Sequence, residues 1–281
     1  MVEPPSPLVP QPRGLRGDYS HVASDYTVPQ DWERYSEREH ALWATLYRRQ
    51  IDLIERYAAP EFLAGVRALD AAATRIPRFE DANRVLHSST GWRIVAVPGL
   101  IPEETFFDHL AHLRFPVTVW IRRPEELDYL VEPDIFHDFF GHVPLLTNPV
   151  FARFMQAYGQ AGPKAIATPG GLRMLARLYW YMVEFGLIRT GAGLRVYGAG
   201  ILSSKGETVY SVESPEPQRL DFDLVRVMRT DYRIDDFQRT YFVLDSFEQL
   251  FGACYNTDFA PLYRQYGALP ALPADQTPAS G

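Results

Sequence analysis

Cysteine is almost absent: Cys254 stands alone in 281 residues. An internal disulfide and any multi-cysteine metal site are thereby excluded. Positive charge is scarce too, with 28 Lys and Arg against 35 Asp and Glu and a net charge of −7. An acidic balance argues against nucleic acid as the main partner, because phosphate binding needs concentrated positive charge. Apolar runs stop well short of the ~20 residues that cross a bilayer. The Pro-rich N-terminus lacks the apolar stretch of a secretory signal. These absences lead to the expectation of a soluble, cytoplasmic protein that engages no membrane. What the chain does have is apolar and aromatic surface, 46% and 14% of residues. That is enough for a large core and rules out disorder of the whole chain.

Residues 1–30 hold Pro4, Pro5, Pro7, Pro10 and Pro12 with few aliphatics. Such a segment buries too little to offset its ordering entropy, so it is expected to be a flexible arm. Residues 269–281, rich in Pro, Ala and Ser, are expected to form a flexible tail. The remainder, 31–268, reads as one catalytic-sized domain. Apolar spacing predicts helices after Asp31 and after Pro60, and over 79–86, 103–113, 134–140, 148–158 and 171–187. Strands are predicted at 91–96, 115–121, 194–197 and 240–243. This is a mainly α pattern with small β-ribbons and no regular βαβ alternation, so a doubly wound sheet is not expected.

Two segments carry chemistry. In the run from Glu132 to Pro144, His137 and His142 stand five apart among aromatic residues. Five residues of ideal helix turn by ~500°, which would leave the two rings ~140° apart. Gly141 offers a helix end or distortion that could bring them together. The pattern is not the His-Glu-x-x-His of zinc hydrolases. Metal ligation and two hydrogen-bonded core histidines both remain open on spacing alone. In the second segment Glu184 is set among Tyr181, Met182, Val183 and Phe185. A buried carboxylate must be paired, neutralised or metal-bound; Arg173 or Arg177 could pair with it. Taken together, two imidazoles and one carboxylate make the 2-His-1-carboxylate set that holds iron and leaves positions open. Of the other histidines, His109 and His112 are read as facing solvent, since Phe106, Leu110 and Leu113 claim the apolar side of their helix.

These two runs, with the segment Tyr197-Gly-Ala-Gly-Ile-Leu-Ser-Ser204, strongly resemble the pterin-dependent aromatic amino acid hydroxylases, and among them the compact bacterial phenylalanine hydroxylases. The likeness extends from about Asp31 to Tyr266. It implies a basket of helices around a central iron held by His137, His142 and Glu184, which would form the catalytic centre. It implies that Arg122 pairs with the substrate's α-carboxylate, a task suited to the planar guanidinium fork. Ser203 and Gly200 would lie by the amino acid's main chain, and Pro133, Trp180 and Phe185 around its ring. Val97, Gly99, Leu100, Phe106, Asp138, Ala176 and Tyr179 would form the pterin site, with Phe106 stacked on the pterin. Two positions depart from the animal enzymes: Asp138 replaces a Glu, and Leu130 replaces a Thr that helps bind the substrate carboxylate.

The activity implied is oxidation of L-phenylalanine to L-tyrosine with O2, using Fe(II) and tetrahydrobiopterin or a related tetrahydropterin. The chain would act as a monomeric catalytic unit, with pterin recycled by separate enzymes. Hydroxylation of tryptophan or tyrosine by the same chemistry is the alternative within the family. A zinc hydrolase using the same three residues with Asp138 as base is the alternative from another class, and a non-catalytic pterin- or amino-acid-binding protein is a third.

Overall fold

In this computed structural model residues 15–275 are described, apart from 71, 72, 129, 235 and 256. Ser36 opens the first long helix, α1 (Glu37–Tyr57). Its hydroxyl accepts from the Glu39 N–H, and the Glu39 carboxylate accepts from the Ser36 N–H at 2.8 Å. That reciprocal cap satisfies two otherwise orphaned donors. Asp31, expected to start this helix, instead sits in the left-handed region (φ 47°) before a single 3-10 turn, Trp32–Arg34. The buried stripe of α1 runs His40, Trp43, Leu46, Gln50, Ile54, Tyr57, a helical period that turns one face to the core.

Helices α2 (Pro60–Leu69) and α3 (Phe79–Thr90) follow, and β1 (Arg93–Val97) pairs in parallel with β2 (Arg114–Thr118) across helix α4 (Glu103–Ala111). The chain then forms a wide, π-type turn at Phe136–His142 before α5 (Pro149–Ala167) and α6 (Gly171–Tyr179). The sequence pattern continues α6 as helix to residue 187. In the structure it widens into a second π-type turn, Trp180–Glu184, closed by the Phe185 N–H donating to the Trp180 carbonyl at 2.9 Å. Gly186 then lets the chain enter β3 (Leu187–Thr190): a Cβ there would lie 2.1 Å from Tyr197.

Next come β4 (Gly193–Val196), α7 (Ala199–Leu202), α8 (Lys205–Glu213), β5 (Gln218–Asp221), α9 (Leu224–Arg229) and β6 (Thr240–Leu244), then α10 (Phe247–Cys254) and α11 (Ala260–Tyr266). The second sheet has strand order β4–β3–β6–β5, antiparallel between β3 and β4 and parallel elsewhere. The result is the expected mainly α fold with two small sheets. Cys254 is buried and free.

Residues 15–30 differ from the flexible arm expected of them. The Val28 N–H donates to the Ala96 carbonyl at 2.9 Å, and the Tyr19 hydroxyl to the Leu100 carbonyl at 2.8 Å. Polar and aromatic anchors thus do what the missing aliphatics could not. The same segment corrects the reading of His109. Its ring is fully buried, with Nε2 2.9 Å from the Asp25 carbonyl, whereas His112 is exposed as expected. Residues 1–14 of the arm and 276–281 of the tail lie outside the described residues. Within the tail, the Leu272 N–H donates to the Arg229 carbonyl at 2.8 Å, so this part too is tied to the domain.

Candidate active site

The π-type turn solves the spacing problem posed by His137 and His142. Bonding from i to i+5 puts residues five apart on one face, as an α-turn does for residues four apart. The two rings meet edge-on at 5.1 Å between centroids, and their Nε2 atoms lie 3.3 Å apart. Glu184 comes in from the second π-type turn. Its Oε1 is 3.1 Å from His142 Nε2 and its Oε2 is 3.5 Å from His137 Nε2. Gly141 lets the histidine turn touch α7, since a Cβ there would lie 2.9 Å from the Ala199 carbonyl oxygen. Gly198 does the same for the Glu184 turn, where a Cβ would meet the Glu184 carbonyl oxygen at 2.4 Å.

Three donors about 2.1 Å from one ion stand about 3.0 Å apart on an octahedral face and about 3.4 Å apart in a tetrahedron. The two Nε2 atoms, 3.3 Å apart, fall in that range, and each faces a different Glu184 oxygen, His142 at 3.1 Å and His137 at 3.5 Å, so the carboxylate stands across from both rings. Asp138 also brings a carboxylate oxygen within 4.8 Å of the two histidines. Its Oδ2, however, accepts from the Thr118 N–H at 2.8 Å, so that oxygen is already engaged with β2. Glu184 is the carboxylate that faces both rings.

Electrostatics agree with ligation. Burial pushes His137 down to about 4, which keeps its imidazole neutral and its lone pair free. Burial alone would raise the Glu184 carboxyl. Attraction from His142 and His137, with the Gly200 N–H, outweighs it and holds Glu184 below its ordinary value. Nδ1 of His137 lies 2.9 Å from Ser203 Oγ. The tautomer that leaves Nε2 open to a metal puts the proton on Nδ1, which then donates to Ser203 and fixes the ring. Ser203 therefore braces the His137 ring as well as lining the cavity beside it.

That cavity has a volume of about 510 Å³, with the three donors in its wall. Val97, Gly99, Leu100, Phe106, Asp138 and Tyr179 line it, as do Arg122, Pro133, Trp180, Phe185, Gly200 and Ser203. Leu130 lines it too. Ala176, expected in the pterin site, is not among the described lining residues. It is buried in α6 at 6% exposure, which leaves little of its side chain to face the cavity that the resemblance assigns it to. Asp138 is buried, and burial pushes its carboxyl up to about 7.

Arg122 is buried, not a surface charge. Its Nε and Nη2 bind the two oxygens of Asp134 at 2.9 and 2.8 Å, and Asp134 Oδ1 also accepts from the His137 N–H at 3.0 Å. Burial would raise Asp134, but the guanidinium holds it below the ordinary carboxylate range. The sequence analysis does not single out Asp134, although an Asp three residues before His137 is visible there. Glu207 and Gln238 were missed as well; both line the cavity, and no local motif marks them.

Comparison with known proteins agrees with this geometry. Residues 11–257 match the profile of the biopterin-dependent aromatic amino acid hydroxylases. The phenylalanine-4-hydroxylase of Chromobacterium violaceum is 61% identical over 246 residues, covering 88% of this chain and 82% of that protein. The phenylalanine-4-hydroxylase of Ralstonia nicotianae is 60% identical over 257 residues, 92% of this chain and 82% of that protein. A crystal structure of the Chromobacterium violaceum phenylalanine hydroxylase with iron(III) and 7,8-dihydrobiopterin bound is similar at TM-score 0.88 and 58% identity, over 92% of both chains. A structure of the same enzyme with iron and phenylalanine bound gives TM-score 0.87 and 57% identity, over 92% of this chain and 93% of that one. With two imidazoles and one carboxylate converging in a cavity, and a family match across most of its length, this chain belongs to the biopterin-dependent aromatic amino acid hydroxylases.

Proposed function

We propose that this protein is an iron- and tetrahydropterin-dependent monooxygenase that converts L-phenylalanine and O2 to L-tyrosine. The observation that carries the reading is the convergence of His137, His142 and Glu184, at 3.1 to 3.5 Å, in the wall of one cavity that also holds Arg122 and Trp180. The names of the relatives, phenylalanine-4-hydroxylases at 60 and 61% identity, support the choice of substrate.

His137, His142 and Glu184 hold the iron. Ferrous iron and the reduced pterin, when bound, supply O2 activation and two electrons. The chain's own residues position and exclude. Asp134 occupies the Nε–Nη2 edge of Arg122 and Nη1 lies 3.5 Å from the Leu127 carbonyl; from the cavity wall the remaining N–H groups receive the α-carboxylate of the amino acid. Pro133, Trp180 and Phe185 wall the substrate ring. Phe106, set edge-on to Tyr179 at 5.6 Å, offers its face to the pterin, and the backbone at Gly99 and Leu100 reads the pterin's polar edge. Asp138 anchors the ligand turn to β2 through Thr118. The apolar walls keep water from the reacting centre once both organic ligands are in place.

The proposal includes a catalytic unit acting as a monomer in the cytoplasm, with the pterin recycled by separate enzymes. Among the described residues no helix is long and apolar enough to cross a membrane.

The test is direct. Purified protein with ferrous iron, tetrahydrobiopterin, O2 and L-phenylalanine forms tyrosine, and iron-free protein does not. Preferred turnover of L-tryptophan or L-tyrosine would reassign the substrate. Zinc-supported hydrolysis without O2 uptake would replace the reading altogether.

A further inference from the structure

Trp180 is clamped by residues far away in the chain. Its ring stacks on Tyr232 at 4.3 Å between centroids and 16° between planes, and leans on Phe185 at 4.8 Å. Its indole N–H donates to Gln238 Oε1 at 3.0 Å. The Gln238 amide has one possible orientation here. An indole N–H can only donate, so Oε1 must face it; Nε2 then donates to the Arg233 carbonyl at 2.7 Å. Gln238 is 2% exposed. Its own backbone N–H donates to Glu207 Oε1 at 3.1 Å, and the same oxygen accepts from the Tyr241 hydroxyl at 2.7 Å.

Glu207 is 6% exposed, and the groups that hold its Oε1, the Gln238 N–H and the Tyr241 hydroxyl, are both uncharged. It stands in the first turn of α8, which begins just after Ser203, the partner of His137. One short segment thus braces both a metal-side imidazole and the wall of the ring pocket.

We propose that Gln238, held in place by Glu207, is a positioning and specificity-determining residue: it fixes the Trp180 indole as a rigid wall and thereby sets where the aromatic ring lies and which ring is accepted. The inference rests on the substrate reading above. A wall free to tilt admits larger rings and lets the smaller one wander. Small misplacements of a reacting centre cost turnover steeply.

Gln238→Leu keeps the bulk and leaves the indole N–H without its acceptor. Gln238→Glu restores an acceptor oxygen for the indole and, in the protonated form that burial favours, a donor for the Arg233 carbonyl. Glu207→Leu withdraws the support without touching the indole's partner. Phenylalanine affinity is measured by calorimetry on iron-loaded, tetrahydrobiopterin-bound enzyme without O2, so that it does not depend on turnover. Loss of one such buried hydrogen bond corresponds to about a tenfold weaker affinity. Gln238→Leu is expected to show that loss, Glu207→Leu a smaller one, and Gln238→Glu a return to within about threefold of wild type. Pterin affinity should stay unchanged. Under turnover, tyrosine formed per pterin consumed should fall, and the ratio of tryptophan to phenylalanine hydroxylation should rise.

Phenylalanine affinity and ring preference unchanged in both leucine variants would overturn the proposal, as would a loss shared equally by the pterin. If Gln238→Leu does not fold, Glu207→Leu carries the same two outcomes. A wild type that binds phenylalanine without forming tyrosine would sink the proposed activity alone. Unaltered variants of an active wild type would sink this inference alone.

Discussion

Glu207→Gln should reshape how stability follows pH. Burial is the main cause of the raised Glu207 carboxyl, which stands at about 7 against an ordinary 4.5; hydrogen bonds from Tyr241 and Gln238 only partly oppose it. The unfolded chain ionises Glu207 first as pH rises, so between those two values the folded state holds more protons. Stability from this group is complete below about pH 4.5 and is lost as pH climbs to about 7, after which it is flat. At about 1.4 kcal/mol per pH unit the loss comes to about 3 kcal/mol. Gln has no proton to release, and its carbonyl oxygen can still accept from Gln238 and Tyr241. The variant should therefore gain about 3 kcal/mol on wild type between pH 4.5 and 7.5. Urea denaturation of both proteins across that range, with chelator present, measures it. His137, Asp138 and other groups titrate in both proteins and cancel in the difference. Parallel curves, or a gap that widens toward acid, would refute the argument.

Three further outcomes can be measured. Glu184→Gln should lose most of its iron at equal protein, by metal analysis after desalting, because the amide is a poor ligand where a carboxylate faced both imidazoles; iron content equal to wild type would remove Glu184 from the ligand set. Asp134→Asn leaves a buried guanidinium without its counter-charge and should cost about 3 kcal/mol in urea unfolding while raising KM for phenylalanine; a loss under 1 kcal/mol would mean that the Arg122 pair is not held as described. Gly141→Ala drives a Cβ to 2.9 Å from the Ala199 carbonyl oxygen and should cost about 1 to 3 kcal/mol and weaken metal retention; an unchanged thermal midpoint would count against close contact between the ligand turn and α7.

Much of this was written in local sequence. His137, His142 and Glu184 stand in runs whose composition is odd enough to notice, and helical stripes such as that of α1 follow directly from apolar spacing. What local sequence hid was pairing over distance. Trp180 and Gln238 are 58 residues apart, and Glu207 and Gln238 are 31 apart, so neither bond leaves a pattern that any window could detect. The end of α6 is not legible because apolar residues continue through the wide turn, where helix and π-type turn share the same composition. The order of the segment from residue 15 is hidden in composition because it comes from long-range hydrogen bonds to Ala96 and Leu100 rather than from apolar burial. The burial of His109 is hidden for the same reason, since its cover comes from that segment.

The two wide turns make residue count itself a structural parameter. An α-turn bonds i to i+4, so each stretch with i to i+5 bonding behaves as if it carried one surplus residue. Deleting a single residue from either stretch would let it relax into regular helix, with its hydrogen bonds intact. Circular dichroism would register little, and side chains beyond the deletion would keep nearly the same bearing, because residues four apart in the new helix face the same way as residues five apart did in the wide turn. An in-frame loss of one codon is therefore better tolerated inside either wide turn than in a regular helix such as α1, where it would rotate everything beyond it by about 100°.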